Sequence, residues 1–191
     1  MKNIFFHICW KNMNNISVII PTSSRNIDTK VIENIKKTQP LEIIIVGDNI
    51  NINIHDKIIK CYETQKKNNA AVNRNFGASK ASGDYLLFLD DDVLVDYNFI
   101  LENFVNTNIK YDIIYGVYSK LDPKKNFLNF YQNEIVRHRS KTCKLFSSSH
   151  FIINKEVFIK LQGFNEELQS YEDIEFYNRA CKEKFNLFYN K

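Results

Sequence analysis

Ala81-Ser82-Gly83-Asp84-Tyr85-Leu86-Leu87-Phe88-Leu89-Asp90-Asp91-Asp92 sets an apolar, strand-like run directly against three consecutive carboxylates. Adjacent carboxylates repel one another. A chain carries them at a strand end where something positive is near: a divalent cation, a helix N-terminus or basic side chains. Hard oxygen donors in a tight cluster suit Mg²⁺ or Mn²⁺, ions that commonly bridge to substrate phosphates. The plainer reading of the same acids is a solvated turn that caps the next helix.

Working outward, Ile16-Ser17-Val18-Ile19-Ile20 is a β-branched run stopped by Pro21, which reads as a buried strand. Asp28 is placed to cap a helix with apolar positions Val31, Ile32 and Ile35, closed by Pro40. Glu42-Ile43-Ile44-Ile45-Val46 is a second buried strand, ended by the turn Gly47-Asp48-Asn49. Residues 57–61 read as a third strand, and the Ala-rich segment 69–81 as a helix. A helix over 97–105, strands over 112–117 and 149–153, a helix over 155–161 and a helical run over 174–184 follow. Alternating strands and helices with near-continuous apolar strands predict an α/β fold. Its sheet is mainly parallel, Rossmann-like, and covered by helices on both faces. Ligands of such sheets bind beyond the carboxyl ends of the strands. Pro21-Thr22, Asp48-Asn49 and Asp90-Asp91-Asp92 all fall at such ends.

A chain of 191 residues suffices for one such domain. We expect a leader over 1–15 and a single domain over 16–191. The net charge of +4 comes from dispersed Lys and Arg, without the dense stripe of a nucleic-acid surface, so no nucleic-acid partner is expected. Arg137, His138, Arg139 and Lys141 form one local cluster that reads as a solvated helix face. Cys9, Cys61, Cys143 and Cys181 form no C-x-x-C pair, which argues against a zinc site or disulfide framework and fits a reducing, cytoplasmic setting. No apolar run reaches the roughly 18 residues of a membrane span. The short run Ile4-Phe5-Phe6-His7-Ile8-Cys9-Trp10 is followed by Lys11 and lacks a small-residue cleavage site. It reads as a leader or as a peripheral apolar anchor at the inner face of a membrane.

Five ordered blocks together resemble the family 2 glycosyltransferases of the GT-A fold. Ser17-Val18-Ile19-Ile20-Pro21-Thr22 is similar to that family's opening strand, and Glu42 to Asn49 to its second strand and acidic tip. Asn73-Arg74-Asn75-Phe76-Gly77 through Asp92 is similar to its helix, strand and DxD block. Phe151 to Phe158 with Gly163-Phe164-Asn165-Glu166 resembles the segment before its catalytic acid, and Glu172-Asp173-Ile174-Glu175-Phe176 its ED motif. The resemblance implies that Pro21, Thr22 and Asp48 line a nucleoside pocket and that Arg74 lies near the nucleotide diphosphate. It implies that Asp90 and Asp91 touch the nucleotide-sugar, and that Asp92, with Asp90, holds Mn²⁺ or Mg²⁺. Asp173 would be the general base of an inverting displacement, and Glu172 would support it or bind the acceptor. The implied partners are a nucleotide-diphosphate sugar, UDP-linked by preference, and a hydroxyl of a glycan or lipid-linked acceptor in polysaccharide synthesis.

The chemistry agrees with this reading. A departing diphosphate needs neutralising charge, and an acceptor hydroxyl needs a base. Alone, Glu172-Asp173 reads as a helix cap. Nucleotidyl transfer on the same fold is disfavoured, because residues 21–25 hold no Gly to cradle a triphosphate. A non-catalytic sugar-nucleotide-binding subunit is the alternative. The chain departs from the family at Gly47, where an acid is common, at Ser23-Ser24-Arg25, and at Gln162, where Gly is common. Only 18 residues follow Asp173, so a short C-terminal side is expected.

Overall fold

The computed structural model describes residues 15–23, 27–48, 50, 56–64, 69–94, 111–116 and 146–190. The helix expected over 97–105, the leader up to residue 14, Asn49, Cys9, Cys143 and the cluster Arg137, His138, Arg139 and Lys141 lie outside them.

Strand β1, Ile16–Thr22, is buried along its whole length, and its alternate side chains enter two different cores. Ile16, Val18 and Ile20 pack with Val31, Ile32 and Ile35 of helix α1, Thr29–Lys36. Ile19 faces the other way, toward Ala71 and Ala78 of helix α2, Ala70–Lys80. Strand β2, Glu42–Gly47, divides in the same manner, with Ile43 and Ile45 on one side and Ile44 and Val46 on the other. This two-sided burial is why the strands read as continuous apolar runs. Any Cβ at Gly77 would lie 2.6 Å from the Cγ2 of Ile19, so Gly77 is what lets α2 seat so closely on β1.

Strands β3, Ile59–Glu63, and β4, Tyr85–Leu89, flank this pair; β5, Ile113–Gly116, β6, His150–Asn154, and β7, Leu187–Asn190, complete the sheet. Their order is β3-β2-β1-β4-β6-β5-β7. β6 alone runs against its neighbours β4 and β5, and every other pairing is parallel. The reversal puts the start of β6 beside the end of β4: His150 pairs with Leu89, and the Asp90 amide donates to the Ser149 carbonyl at 3.1 Å. Helices α3, Lys155–Lys160, and α4, Glu172–Lys182, cover the second half of the sheet through Val157, Phe158, Phe176 and Ala180. Phe88, Phe151, Phe158, Phe164 and Phe176 form one aromatic cluster there.

Several elements differ from expectation, among them α4, which starts two residues ahead of the expected 174–184. Pro21 does not stop β1: it pairs with Val46 beyond the last β1–β4 register pair, Ile19 and Phe88, where its missing N–H disturbs no ladder on that side. β3 begins later than 57–61 because Asp56 turns the chain first. Its carboxylate accepts from the Ile58 amide at 3.1 Å and its carbonyl from the Ile59 amide at 3.1 Å. β7 was not foreseen; four residues are too few for a periodic signal, and β7 is fixed by stacking of Phe188 on Tyr111 at 4.6 Å and by contact of Tyr189 with Tyr115.

At the amino end of the sheet, Glu42 is 2% exposed yet fully served. One carboxylate oxygen accepts from the Ser17 hydroxyl, the Ser82 amide and the Ser82 hydroxyl at 2.6–2.7 Å, and the other from Lys60 Nζ at 2.6 Å. Burial pushes this carboxyl up, but the bonds from Lys60, Ser82 and Ser17 outweigh it and hold it at about 2 instead of 4.5. Stability from such a group is present above the unfolded value and is lost as pH falls through the folded one. Acid unfolding followed by circular dichroism should therefore show a loss between pH 4.5 and about 2 that Glu42→Gln largely abolishes. Its size should be on the order of 2 kcal/mol after allowance for water at the exposed Lys60.

The turn after α3 closes with paired bonds: Gly163 N–H to Phe158 C=O at 3.1 Å, and Gln162 N–H to Ile159 C=O at 2.9 Å. This geometry puts Gln162 in the left-handed region, at φ 59°, a position that favours glycine. Gln162→Gly should raise unfolding stability by about 0.5–1 kcal/mol in urea titrations, the relief of left-handed strain less the added chain entropy.

Candidate active site at the carboxyl ends of the strands

The tips of β3, β2 and β1 are joined by buried polar contacts. The Thr64 amide donates to the Gly47 carbonyl at 2.9 Å. The Thr64 hydroxyl donates to Asn73 Oδ1 at 2.7 Å, and Asn73 Nδ2 reaches the Thr22 carbonyl at 3.5 Å. A Cβ at Gly47 would collide with that same carbonyl and lie 2.8 Å from Thr22 Cγ2. The glycine that stands where an acid is common thus makes room for Thr22. Asp48 follows it at the tip of β2, half-buried.

The Thr22 hydroxyl donates a short hydrogen bond to Asp91 Oδ2, which ties the end of β1 to the acid triplet. Asp90 turns the chain, its carbonyl accepting from the Val93 amide at 3.2 Å; Asp91 is half-buried and Asp92 exposed. Above the triplet lies Arg74 of α2, only 4% exposed. Its Nη2 donates to Asp90 Oδ1 and its Nη1 to Glu172 Oε1, each at 2.9 Å. Its guanidinium carbon lies 5.5 Å from the centre of the Phe164 ring. Phe164 is itself fixed to α2: Asn75 accepts from its amide at 2.8 Å and donates to its carbonyl at 2.9 Å. Asn69, which caps α2, donates to the Glu166 carbonyl at 2.9 Å.

These bonds deliver the chain to the start of α4. Its cap position is Tyr171, left-handed at φ 65° and ψ 16°, whose carbonyl accepts from the Glu175 amide at 3.0 Å. Glu172 and Asp173 are therefore the first two helical residues, not the cap. Carboxylates there face the positive end of the helix dipole, and Asp173 Oδ1 accepts from the Ile174 amide at 2.8 Å.

Hydrogen bonds and ion pairs thus join Thr22, Asp90, Asp91, Arg74 and Glu172 into one edge, with Pro21, Asp48, Asp92 and Asp173 on the adjoining segments. Sequence reasoning missed Asn73, Thr64, Ser149 and Phe164. Asn73 carried the one available signal: a poor helix former on the buried side of a helix, where its amide must have partners.

The family described as glycosyltransferase like family 2 matches residues 17–189. The chain belongs to this family. Among relatives of this family 2 chain, glycosyltransferase GlyG of Streptococcus pneumoniae serotype 4 is 28% identical over 176 residues, covering 79% of this chain and 58% of that protein. An uncharacterized glycosyltransferase of Haemophilus influenzae is 23% identical over 184 residues, covering 88% and 62%. The chain thus spans about three-fifths of the length of these relatives. Among solved structures, residues 1–349 of S. aureus TarS superpose with a TM-score of 0.66 at 20% identity, covering 92% of this chain and 58% of that one. The mannosyltransferase PcManGT of Pyrobaculum calidifontis, in complex with GDP-Man and Mn²⁺, superposes with a TM-score of 0.67 at 16% identity, covering 92% and 54%. At such identities the likeness shows the fold, which is GT-A with a mostly parallel sheet, in agreement with the sequence resemblance.

The electrostatics of this family 2 site are unbalanced. Burial above all, then repulsion from Asp92 and Asp91, holds the Asp90 carboxyl above the usual carboxylate range against the opposite pull of Arg74. Among the described residues no three His, Cys, Asp or Glu side chains cluster as a complete ligand set. A magnesium-type ion needs fewer: one or two carboxylates, with water and substrate phosphates filling the rest. Asp90, which shares Arg74 with Glu172, and the exposed Asp92 are hard oxygen donors, and they fit that group. His150, buried at the start of β6, is held by that burial at about 4 and is neutral at pH 7.

Proposed function

We propose that this domain moves a sugar from a nucleotide-diphosphate donor, UDP-linked by preference, to a hydroxyl of a glycan or lipid-linked acceptor, with inversion. The observation that carries the proposal is the Arg74 bridge from Asp90 to Glu172, which joins a donor-side acid to the acid pair at the start of α4. An acid cluster at a sheet's carboxyl edge suits a metal-bound diphosphate, and a carboxylate across the same cleft suits proton removal from an acceptor. PcManGT with GDP-Man and Mn²⁺, and TarS with UDP-GlcNAc, support this class of donor.

In this reading Pro21, Thr22 and Asp48 line the nucleoside side, with Asp48 accepting from the base ring. Asp90 and Asp91 border the donor, and Asp92 with Asp90 would hold Mn²⁺ or Mg²⁺, which when bound supplies the charge that stabilises the departing diphosphate. Asp173 accepts the acceptor's proton as the hydroxyl oxygen attacks the anomeric carbon in line with the leaving diphosphate. Glu172 sets the orientation of that helix turn. The proposed setting is the cytoplasm, with Ile4 to Trp10 as an apolar contact to the inner face of the membrane. No helix among the described residues is long and apolar enough to cross one.

Two substitutions separate the roles. Asp92→Asn should weaken Mn²⁺-dependent UDP binding, measured by calorimetry, by about tenfold or more, with the fold intact, since a charge-assisted contact is worth about 1.5–3 kcal/mol. Unchanged affinity in Mn²⁺ would remove Asp92 from the cation site.

Asp173→Asn should lower transfer to glycan acceptors by roughly 10²–10⁴-fold while UDP affinity stays put. The amide keeps the size of the side chain and loses the ability to take a proton. Near-native transfer would leave Asp173 with a dipole role alone, and a native chain that binds UDP yet transfers nothing would be a sugar-nucleotide-binding subunit.

A further inference from the structure

The environment of Arg74 is that of a tie between two elements. Both terminal nitrogens are committed, one to Asp90 at the end of β4 and one to Glu172 at the start of α4. The side chain is 5% exposed, against 35% for Asp90 and 17% for Glu172. The ring of Phe164 backs the guanidinium, and Phe164 is locked to α2 by Asn75. A buried cation is tolerated only when it is paired, and removing one partner leaves a costly unmatched charge. The planar fork of arginine can serve two carboxylates on different elements at once, whereas an ammonium is a single point charge.

We propose that Arg74 is a positioning residue that couples the acid triplet to the first turn of α4, so that a cation or metal–diphosphate arriving at Asp90 is felt at Glu172 and Asp173. The inference rests on the functional reading above and adds a linkage to it. Positive charge delivered to Asp90 competes with Arg74 for that carboxylate. The guanidinium then leans more heavily on Glu172, which tightens the turn carrying Asp173. Linkage is reciprocal: whatever fixes the start of α4 also favours binding at the triplet. The sequence alone could not separate this role from direct contact with phosphate, because both want an arginine on α2 facing the acids.

The test is hydrogen exchange at the amides of Glu175, Phe176 and Tyr177, with and without UDP and Mn²⁺. The proteins compared are the native chain, Arg74→Lys, Glu172→Gln and the double variant. Without ligand, either single substitution should speed exchange at these amides by about tenfold, and the double variant by no more than either, since both remove one tie. Amides of β1 should not change. With saturating UDP and Mn²⁺, exchange at these amides should slow in the native chain and stay unchanged in the variants. Where transfer is measurable, Arg74→Lys should lower kcat by about tenfold or more with donor KM within about threefold, a split that general loosening of the fold would not give. Unaltered α4 exchange in both single variants overturns the tie, as does an additive double variant. Loss of UDP affinity in Arg74→Lys with α4 exchange unchanged would make Arg74 a phosphate ligand instead. If the native chain binds neither UDP nor GDP with Mn²⁺, the donor reading fails, while the ligand-free exchange still decides whether Arg74 ties β4 to α4. Should Arg74→Lys not fold, Glu172→Gln tests the same tie from its other end.

Discussion

A guanidinium excluded from water sets the terms for the carboxyl end of this sheet. Arg74 can stay buried only if carboxylates come to it, and they come from two distant parts of the chain, Asp90 and Glu172. That requirement brings the tip of β4, the middle of α2 and the first turn of α4 together. The intervening segment complies through Asn75 and Asn69, which hold Phe164 and Glu166 against α2. Arg179 does the same from α4, donating to the carbonyls of Leu161 and Gly163. Side-chain amides and one more arginine thus do part of what a regular element would do elsewhere: they give the carbonyls of Leu161, Gly163, Phe164 and Glu166 and the Phe164 amide their partners.

The two ends of the sheet treat carboxylates in opposite ways. At the amino end, Glu42 gathers four donors and is held strongly acidic although buried. At the carboxyl end, Arg74 serves Asp90 and Thr22 serves Asp91, and Asp90 is pushed the other way. A saturated carboxylate has finished its chemistry and contributes stability. An under-supplied group of carboxylates is a cost to the fold unless another cation joins it, and that is the physical difference between a lock and a site.

Much of this was legible in the sequence because the signals were local. Buried strands announced themselves as β-branched runs, and Asp28 acts as the cap its position implied. What escaped depended on contacts made across the fold. Pro21 can remain in β1 because of where the β4 pairing ends, and β7 is held by its pairing with β5 and by the aromatic faces of Tyr111 and Tyr115. The carboxylate partners of Arg74 belong to the same class, since no spacing along the chain shows that residue 74 meets residues 90 and 172.

The scarcity of glycine sharpens the point. With five Gly in 191 residues, left-handed positions fall to other residues: Gln39, Gln162, Tyr171 and Lys184 all have positive φ. Each carries a local cost of about 1–2 kcal/mol. Three of them follow helix ends, where the closing bonds of the turn hold the residue in place. Tyr171 differs, because it precedes a helix and makes no side-chain cap bond, and the residue is 73% exposed. Its conformation is imposed from both sides, by the Phe164–Glu166 docking before it and by the Glu172–Arg74 pair directly after it. Backbone strain persists where the surroundings over-determine it. Here the over-determining contact is the same ion pair that keeps Arg74 buried. The position of Asp173 therefore rests on the pairing of its neighbour Glu172 with Arg74 as well as on the helix that carries it.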